Sequence, residues 1–462
     1  MHNFEPISAK EFGSFLKKHP DLESVEVLLI DVNGYVRGKR ITQENFSSFP
    51  KNGIRFPASI YLYDSLGRVC ENMQYATDDG DPDYNILGVK NSILEIPWIN
   101  RSIAQVLGVM NYENGLPFFA DPRWILHKQV EKLKKLNLFP VIGIECEFTL
   151  TTISEETNRP VPISNQNNSS EDYTPQTYGL DDLHFLEEFF AEVRIACADL
   201  NIPLDSIVKE GSPGQYEINL LHSDNPIQIC DRMIFLKRIL KHIAKQHEFN
   251  TSFMAKTFDD VPGSGMHIHV SMLDKDGNNV YAGDKMPALG TPVSDLFLHS
   301  VGGLLSKVDD SVLFFAPNAN SYRRIKAGSY APMKVAWGAN NRNVMVRLPA
   351  CNEKSVRIEH RLPGADANIY LCLSAILAGI HYGITNKVVP PKPQIGKSSK
   401  IKAREIPKFW PAALEKFKKS KFIPEYFGEQ FHEAYFLNRD YECSEYYRMV
   451  TQRDYDWYLP SV

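Results

Sequence analysis

Four short stretches of the 462-residue chain place charged, amide or imidazole side chains at i and i+2. They are Glu145-Cys-Glu147, Gln215-Tyr-Glu217, His267-Ile-His269 and Arg357-Ile-Glu359-His-Arg361. In a strand, alternate side chains share a face, so each set would point one way. The residues between and around them are mostly apolar (Ile144, Cys146, Phe148, Ile218, Met266, Ile268, Val270, Val356, Ile358) and would pack the opposite face into a core. Alternation alone also describes the wet side of an amphipathic strand. Here, however, Glu, His, Gln and Arg recur in place of Lys, Ser and Thr, which favours one functional polar face. Two carboxylates about 5 Å apart repel by about 3 kcal/mol at an effective dielectric near 20. Several can stay ionised together only around metal ions or bound cations.

The donor types narrow the metal. Several Glu oxygens with one or two imidazoles, and no thiolate pair, suit Mg²⁺ or Mn²⁺ better than structural zinc. Arg323, Arg324, Arg342, Arg347, Arg357 and Arg361 are too many to pair only with those carboxylates, and guanidinium forks match phosphate and carboxylate. There is no GxxxxGK[ST] loop, and Gly263-Ser-Gly265 lacks the rest of a GxGxxG motif. Nucleotide phosphates would therefore be held by metals and arginines rather than by a backbone cradle. Carboxylate-held metals beside an arginine cluster point to phosphoryl transfer.

The elements that must position these residues can be read from periodicity and turn signals. Residues 5–20 read as a short amphipathic helix, 25–31 and 36–41 as strands joined by the Asp31-Val-Asn-Gly34 turn. With the acidic run at 78–83 they belong to a small α+β module that ends near 117–122. Residues 122–138 read as a helix, 141–150 as a strand and 154–178 as a polar surface loop. Helices are expected over 180–201, 231–247 and 367–382. Strands are expected over 215–221, 251–255, 266–272, 343–349 and 355–362. The lysine-rich stretch 392–408 reads as a solvated loop.

Composition bounds the class. With 43% hydrophobic and 23% charged residues, the chain can bury a large core. Net charge is −5 and the isoelectric point about 6.2, which argues against a nucleic-acid partner. The seven cysteines are scattered and fit a reducing compartment. The first twenty residues show no secretory pattern, and the apolar run at 369–380 is too short to span a bilayer. A cytoplasmic protein with no membrane partner is expected.

In order along nearly the whole chain, several segments resemble the glutamine synthetase family. They are residues 31–40 (DVNGYVRGKR), Glu145/Glu147, SPGQYEINL, FMAK followed by GSGMHIHVS, NSYRR, NNRNVMVRLP and RIEHRLPGADANIYL. The resemblance implies an α+β fold, with a β-grasp domain over 1–117 and a catalytic domain with a curved antiparallel sheet over 118–462. It implies a homo-oligomeric ring, usually stacked as a dodecamer, with active sites shared between neighbouring subunits. It also implies residue roles. Glu147, Glu210 and Glu217 would hold one metal, and Glu145, His267 and Glu359 the other. Arg342, Arg347 and Arg357 would neutralise ATP phosphates, with Ser271 and Lys354 on the nucleotide side. Arg324 and Arg361 would grip glutamate, and Gly263 would present its backbone to it. In the implied chemistry, ATP phosphorylates the glutamate γ-carboxylate and an amine attacks the acyl phosphate. Arg342, Arg361 and Tyr330 would stand closest to the reaction.

The pattern departs from ammonia-using members at two points. Their Gly-Tyr-Glu-Ala-Pro flap reads Gly328-Ser-Tyr-Ala-Pro332 here, so the Glu position is Tyr330. Their Asp-Gly-Ser-Ser motif has Arg55-Phe-Pro-Ala-Ser59 as its local counterpart, without the Asp. A bulkier primary amine is the simplest explanation, and a tyrosine ring can contact a cationic methylene chain. FPAS, SPGQYEINL, GSGMHIHVSM, NSYRR and GADAN are similar to the subgroup that ligates glutamate to putrescine and other polyamines. Another amine (ethanolamine, an alkyl- or arylamine), ammonia itself, or a catalytically silent ring remain the alternatives. On the amine side, Asp83 sits at a family position that faces a neighbour's site. Asp64, in Tyr63-Asp-Ser-Leu-Gly67, offers a carboxylate for deprotonating the amine, although that sequence also marks a turn.

Overall fold

The computed structural model describes residues 4–71, 73–75, 78, 80–99, 101–163, 176–326, 329–397 and 400–462. Two sheets organise them. The first contains β1 (Ser24–Ile30), β2 (Val36–Thr42), β3 (Ile54–Pro57), β4 (Asp83–Gly88), β5 (Leu94–Glu95) and β6 (Ile103–Asn111), in the order β2-β1-β6-β4-β3 with β5 also on β6. β1 and β6 run parallel, and the other pairs are antiparallel. The β1–β2 turn forms because the Asp31 carboxylate accepts the Asn33 and Tyr35 amides, both at 2.9 Å, while Gly34 supplies φ 79°. Helix α1 (Ala9–Lys18) starts where Ser8 accepts the Glu11 amide and packs Phe12 against Phe46 and Phe49. It ends before Pro20, so the expected helix is trimmed at both ends.

Asp121 caps the helix Pro122–Lys134 by accepting the Arg123 and Trp124 amides. The same carboxylate accepts the Tyr61 hydroxyl at 2.9 Å, which ties the first sheet to the second layer. The second sheet has nine strands. They include the 15-residue β7 (Phe139–Ile153), β8 (Pro160–Pro162), β9 (Leu204–Lys209), β10 (Gln215–Ser223), β11 (Asn250–Ser252) and β12 (Met266–Leu273). After the separate β13 (Ala282–Lys285) come β14 (Trp337–Ala339), β15 (Val346–Leu348) and β16 (Ile358–His360). The order is β14-β15-β16-β12-β7-β10-β9, antiparallel except for β14–β15. Register shifts in β10 against both neighbours deepen its twist and help the sheet curl.

One face of this sheet is the core. Ile144, Phe148, Ile218, Met266, Ile268, Val270, Val356 and Ile358 are almost fully buried, as the alternation predicts. Helix Pro226–Gln246 packs on β7 and β10 behind that face. It begins earlier than expected because Asn225 caps it and Pro226 occupies its first turn. The helix expected over 180–201 divides into Asp181–Phe185 and Glu187–Asp199, since Leu186 (φ −107°, ψ 21°) leaves helical geometry. The strands expected over 251–255, 343–349 and 355–362 are shorter, and Glu353–Ser355 forms a tight helical turn capped by Asn352.

The stretch 392–408 is not simply solvated. Its backbone bonds to Met333, Val335 and Trp337, and Ile401 and Ile406 are buried, although 398–399 lie outside the described residues. Most of the expected 154–178 loop, over 164–175, also lies outside them, as do Asp79 and Gly328. Asn368 donates to the Asp31 and Val32 carbonyls, and Asn438 to those of Leu62 and Tyr63, fastening the N-terminal sheet to the C-terminal helices. All seven cysteines are free. Among the described residues, no helix is long and apolar enough to cross a membrane.

Candidate active site

The polar face of the second sheet is assembled by register. Glu217 lies opposite Glu147, Asn219 and His267 lie opposite Glu145, and His269 and Arg347 lie opposite Glu359. Directly opposed side chains in a sheet stand about 5 Å apart, so five strands deliver carboxylates, imidazoles and guanidiniums to one patch.

Two acid–imidazole groups result. Ligand atoms of Glu145, Glu217 and His267 all lie within 4.8 Å of one another, as do those of Glu145, His269 and Glu359. His267 Nδ1 is 3.2 Å from Glu145, and His269 Nε2 is 2.9 Å from it. Arg357 Nε donates to His269 Nδ1 at 3.3 Å, so His269 carries its proton on Nε2 and donates it to Glu145. The sequence expectation grouped Glu145 and Glu359 with His267 alone. His269 joins them because it is the residue directly across from Glu359 and its Nε2 reaches Glu145.

The electrostatics of the patch are divided. Burial would raise Glu145, but hydrogen bonds from His267 and His269 hold it far below the usual carboxylate range. Burial likewise opposes ionisation of Glu359, yet Arg361, His269 and His267 keep it down at about 2. Glu210 is pushed up to about 7, by burial and then by Glu147. Glu217 is pushed up by burial and by Glu145, Glu147 and Glu210. Glu147 accepts Gln215 Nε2 at 3.0 Å and the Gly265 amide at 2.7 Å. Five Glu and two His, all oxygen and nitrogen donors with unneutralised negative charge on one side, fit a hard divalent cation.

The arginines enter from separate elements. Helix Ala319–Arg324 is fixed by a capping box between Asn318 and Ser321, and both side chains also donate to Asp366. It delivers Arg324, which is buried and donates to the Leu362 and Arg361 carbonyls, with no carboxylate partner among the described residues. Gly265 makes room for it, since a Cβ there would lie 2.4 Å from Arg324 Nη2. Arg347 and Arg361 both donate to Glu359. Gly263 is held by the packed backbone around it, where a Cβ would fall 2.1 Å from the Ala255 carbonyl oxygen.

These groups line a cavity of about 650 Å³ containing Glu145, Glu147, Glu210, Glu217, Gly263, His267, Arg324, Tyr330, Arg342, Arg347, Glu359 and Arg361. A second cavity of about 810 Å³ holds Ser271, Lys354 and Arg357 along with His269. Glu145 and Asn219 belong to both walls, so the cavities adjoin at the acid–imidazole patch. Tyr330 is 67% exposed and holds φ 56°, an uncommon conformation for a bulky residue. Asp83 is exposed at the start of β4 and lies outside both cavities.

Asp64 is a correction. Its side chain is fully buried, accepts the Leu66 and Arg68 amides and pairs with the Arg68 guanidinium. It is a turn residue with no free oxygen for an amine. Asn219, Thr177 and Tyr178 also line the first cavity and are not among the residues picked from sequence. Asn219 was within reach, since it continues the alternation of Gln215 and Glu217 by one step. Thr177 and Tyr178 border a polar loop and carry no periodic signal.

Comparison with known proteins gives the same family. The glutamine synthetase catalytic domain matches residues 119–458. The chain belongs to the glutamine synthetase family, and it is an ATP-dependent carbon–nitrogen ligase of that family. Over 454 residues it is 34% identical to γ-glutamylputrescine synthetase PuuA of Escherichia coli (strain K12), covering 98% of this chain and 95% of that one. It is 28% identical to glutamate–isopropylamine ligase of a Pseudomonas species, covering 97% of each. The fold matches that of GmaS solved without ligand, with TM-score 0.83 and 24% identity, covering 96% of this chain and 98% of the other.

Proposed function

We propose that the chain joins the γ-carboxylate of glutamate to a primary amine of putrescine or another polyamine, through a γ-glutamyl phosphate, releasing ADP and phosphate. The observation that carries the choice of amine is Tyr330. Where ammonia-using members place a carboxylate, an aromatic ring stands exposed at the wall of the catalytic cavity. Such a ring favours an alkylammonium chain over a small hydrated cation. The similarity to a γ-glutamylputrescine synthetase points the same way.

The residue roles follow the family pattern. Glu147, Glu210 and Glu217 would hold one Mg²⁺ or Mn²⁺, and Glu145, His267 and Glu359 the other, with His269 orienting Glu145. Ions held there would screen the charge between a phosphate and a carboxylate brought together in the site. Arg342, Arg347 and Arg357 neutralise phosphates, with Ser271 and Lys354 on the nucleotide side. Arg324 and Arg361 bind glutamate, and Gly263 offers it backbone. The first cavity then takes glutamate and the second takes the nucleotide. Residues 1–117 and 118–462 form the two domains, and the protein works in the cytoplasm in polyamine catabolism. The subunits form a ring, dodecameric by family pattern, and Asp83 faces a neighbour's amine entrance.

A ligase for a different alkylamine is the second reading, favoured by the similarity to an isopropylamine ligase. Product analysis with glutamate, ATP, Mg²⁺ and single amines tests both. A γ-glutamyl adduct formed fastest with putrescine, spermidine or spermine supports the first. A monoamine adduct formed faster establishes the second.

A further inference from the structure

A third cavity, of about 420 Å³, lies away from the catalytic face, between the β1–β2 hairpin and the helix Pro226–Gln246. Register separates the side chains of the hairpin. Glu26 pairs with Arg40 and Leu28 with Gly38, so these share the face turned to the helix. Arg37 and Lys39 point the other way, Arg37 to Asp31 and the Tyr63 ring, and Lys39 to the Arg55 carbonyl and the Phe56 ring. Gly38 lets β2 pack close on β1, since a Cβ there would lie 2.1 Å from the Val27 carbonyl oxygen.

The charge in this cavity does not balance. Arg40, Lys237, Arg238 and Lys241 face Glu26 as the only carboxylate among its lining residues. Arg40 takes one oxygen of Glu26 at 2.6 Å and Arg238 the other at 2.8 Å, so that carboxylate is fully used. Lys237 donates to the Ala365 carbonyl at 2.6 Å, a neutral partner. Lys241, one helical turn away, lies with Lys237 over the Phe253 ring, at 5.8 and 4.9 Å from its centre, and has no hydrogen bond or ion pair among the described residues. Three formal positive charges are thus left around one concave space, with guanidinium forks and ammonium groups that match phosphoryl and carboxylate oxygens.

We infer that this cavity binds a small polyanion bearing phosphoryl or carboxylate charge, at a site separate from the catalytic cavities. The ligand would bridge the N-terminal sheet and the helix that backs β7 and β10. Through Lys237 it would touch the loop at Ala365, whose amide bonds to the Ser264 carbonyl beside Gly263.

The test is calorimetric titration of the full-length, metal-free protein with inorganic pyrophosphate and with citrate, using chloride at matched ionic strength as control. Saturable binding is expected, weakened at least about tenfold by Lys241→Glu and retained in Arg342→Ala. Binding of pyrophosphate alone or citrate alone identifies the oxyanion. Lys241→Glu should keep its amine-dependent phosphate release without added anion, which shows that the variant folds. Binding unaffected by Lys241→Glu, binding lost in Arg342→Ala, or no binding beyond chloride overturns the inference. A changed sedimentation coefficient in Lys241→Glu, with no anion bound by the parent, overturns it too, in favour of an acidic segment of a second copy.

Discussion

Glu217 and Glu147 face each other across two strands, and burial followed by neighbouring carboxylates raises Glu217 and Glu210. Although Glu210 accepts the Gly211 amide, burial pushes its carboxyl up to about 7 in the folded chain, against about 4.3 when unfolded. Between those values the folded state binds more protons, so this group's contribution to stability falls as pH rises through that window. His127 and His360, held neutral by burial, act in the opposite sense, so the informative quantity is the gain on adding metal. A divalent cation replaces the protons on Glu210 and Glu217. The rise in Tm on adding Mg²⁺ or Mn²⁺ should therefore be larger at about pH 8 than at about pH 5. Thermal scans at both values check it, and a larger gain at the acid end would contradict the assignment. Removing one ligand is simpler still. Glu359→Gln should lower amine-dependent phosphate release at least about 100-fold, because it also strips Arg347 and Arg361 of their shared partner. Steady-state assays over a range of Mg²⁺ measure it. At the amine side, Tyr330→Ala should raise KM for a diamine about 2- to 30-fold while leaving KM for ATP unchanged, the range of a cation–π contact.

At the scale of elements, the strands were the legible part. Period-two alternation in 145–147, 215–217, 267–269 and 357–361 identified both the polar face and the core face, because a strand leaves a side chain no third direction. Which residue opposes which could not be read, since register depends on pairing between distant segments. That is why His269 emerged as the partner of Glu145 only in the folded sheet. The early start of helix Pro226–Gln246 was available in Asn225-Pro226, a cap followed by a first-turn proline. The division at Leu186 had no such signal. Asp64 shows the converse case, where the turn chemistry of Asp-Ser-Leu-Gly outweighed its appeal as a base. The loop carrying Gly263 is another place where backbone packing decides. Gly263→Ala would push a Cβ into the Ala255 carbonyl, and should raise KM for glutamate more than KM for ATP in the same assays. Equal effects on both would point to general loosening of the loop.

At the scale of the whole molecule, the N-terminal sheet is fastened to the catalytic body through Asn368, Asn438 and the Tyr61–Asp121 contact. Asp83, at the start of β4, is exposed and outside both catalytic cavities of its own chain. If active sites are shared around a ring, Asp83→Asn and Glu359→Gln subunits mixed during refolding should recover part of the activity each lacks alone. Activity assays after mixing measure it, and no recovery would place Asp83 outside any site. The central claim, a ligase for glutamate and a polyamine, is tested most directly by phosphate release from ATP with glutamate and Mg²⁺. Ammonium, putrescine, spermidine, spermine, ethanolamine and isopropylamine would be compared at matched concentrations, with each product identified by mass. The account predicts the highest kcat/KM for a diamine or polyamine, and a γ-glutamyl adduct of that amine. Glutamine formed from ammonium at a higher kcat/KM would contradict it.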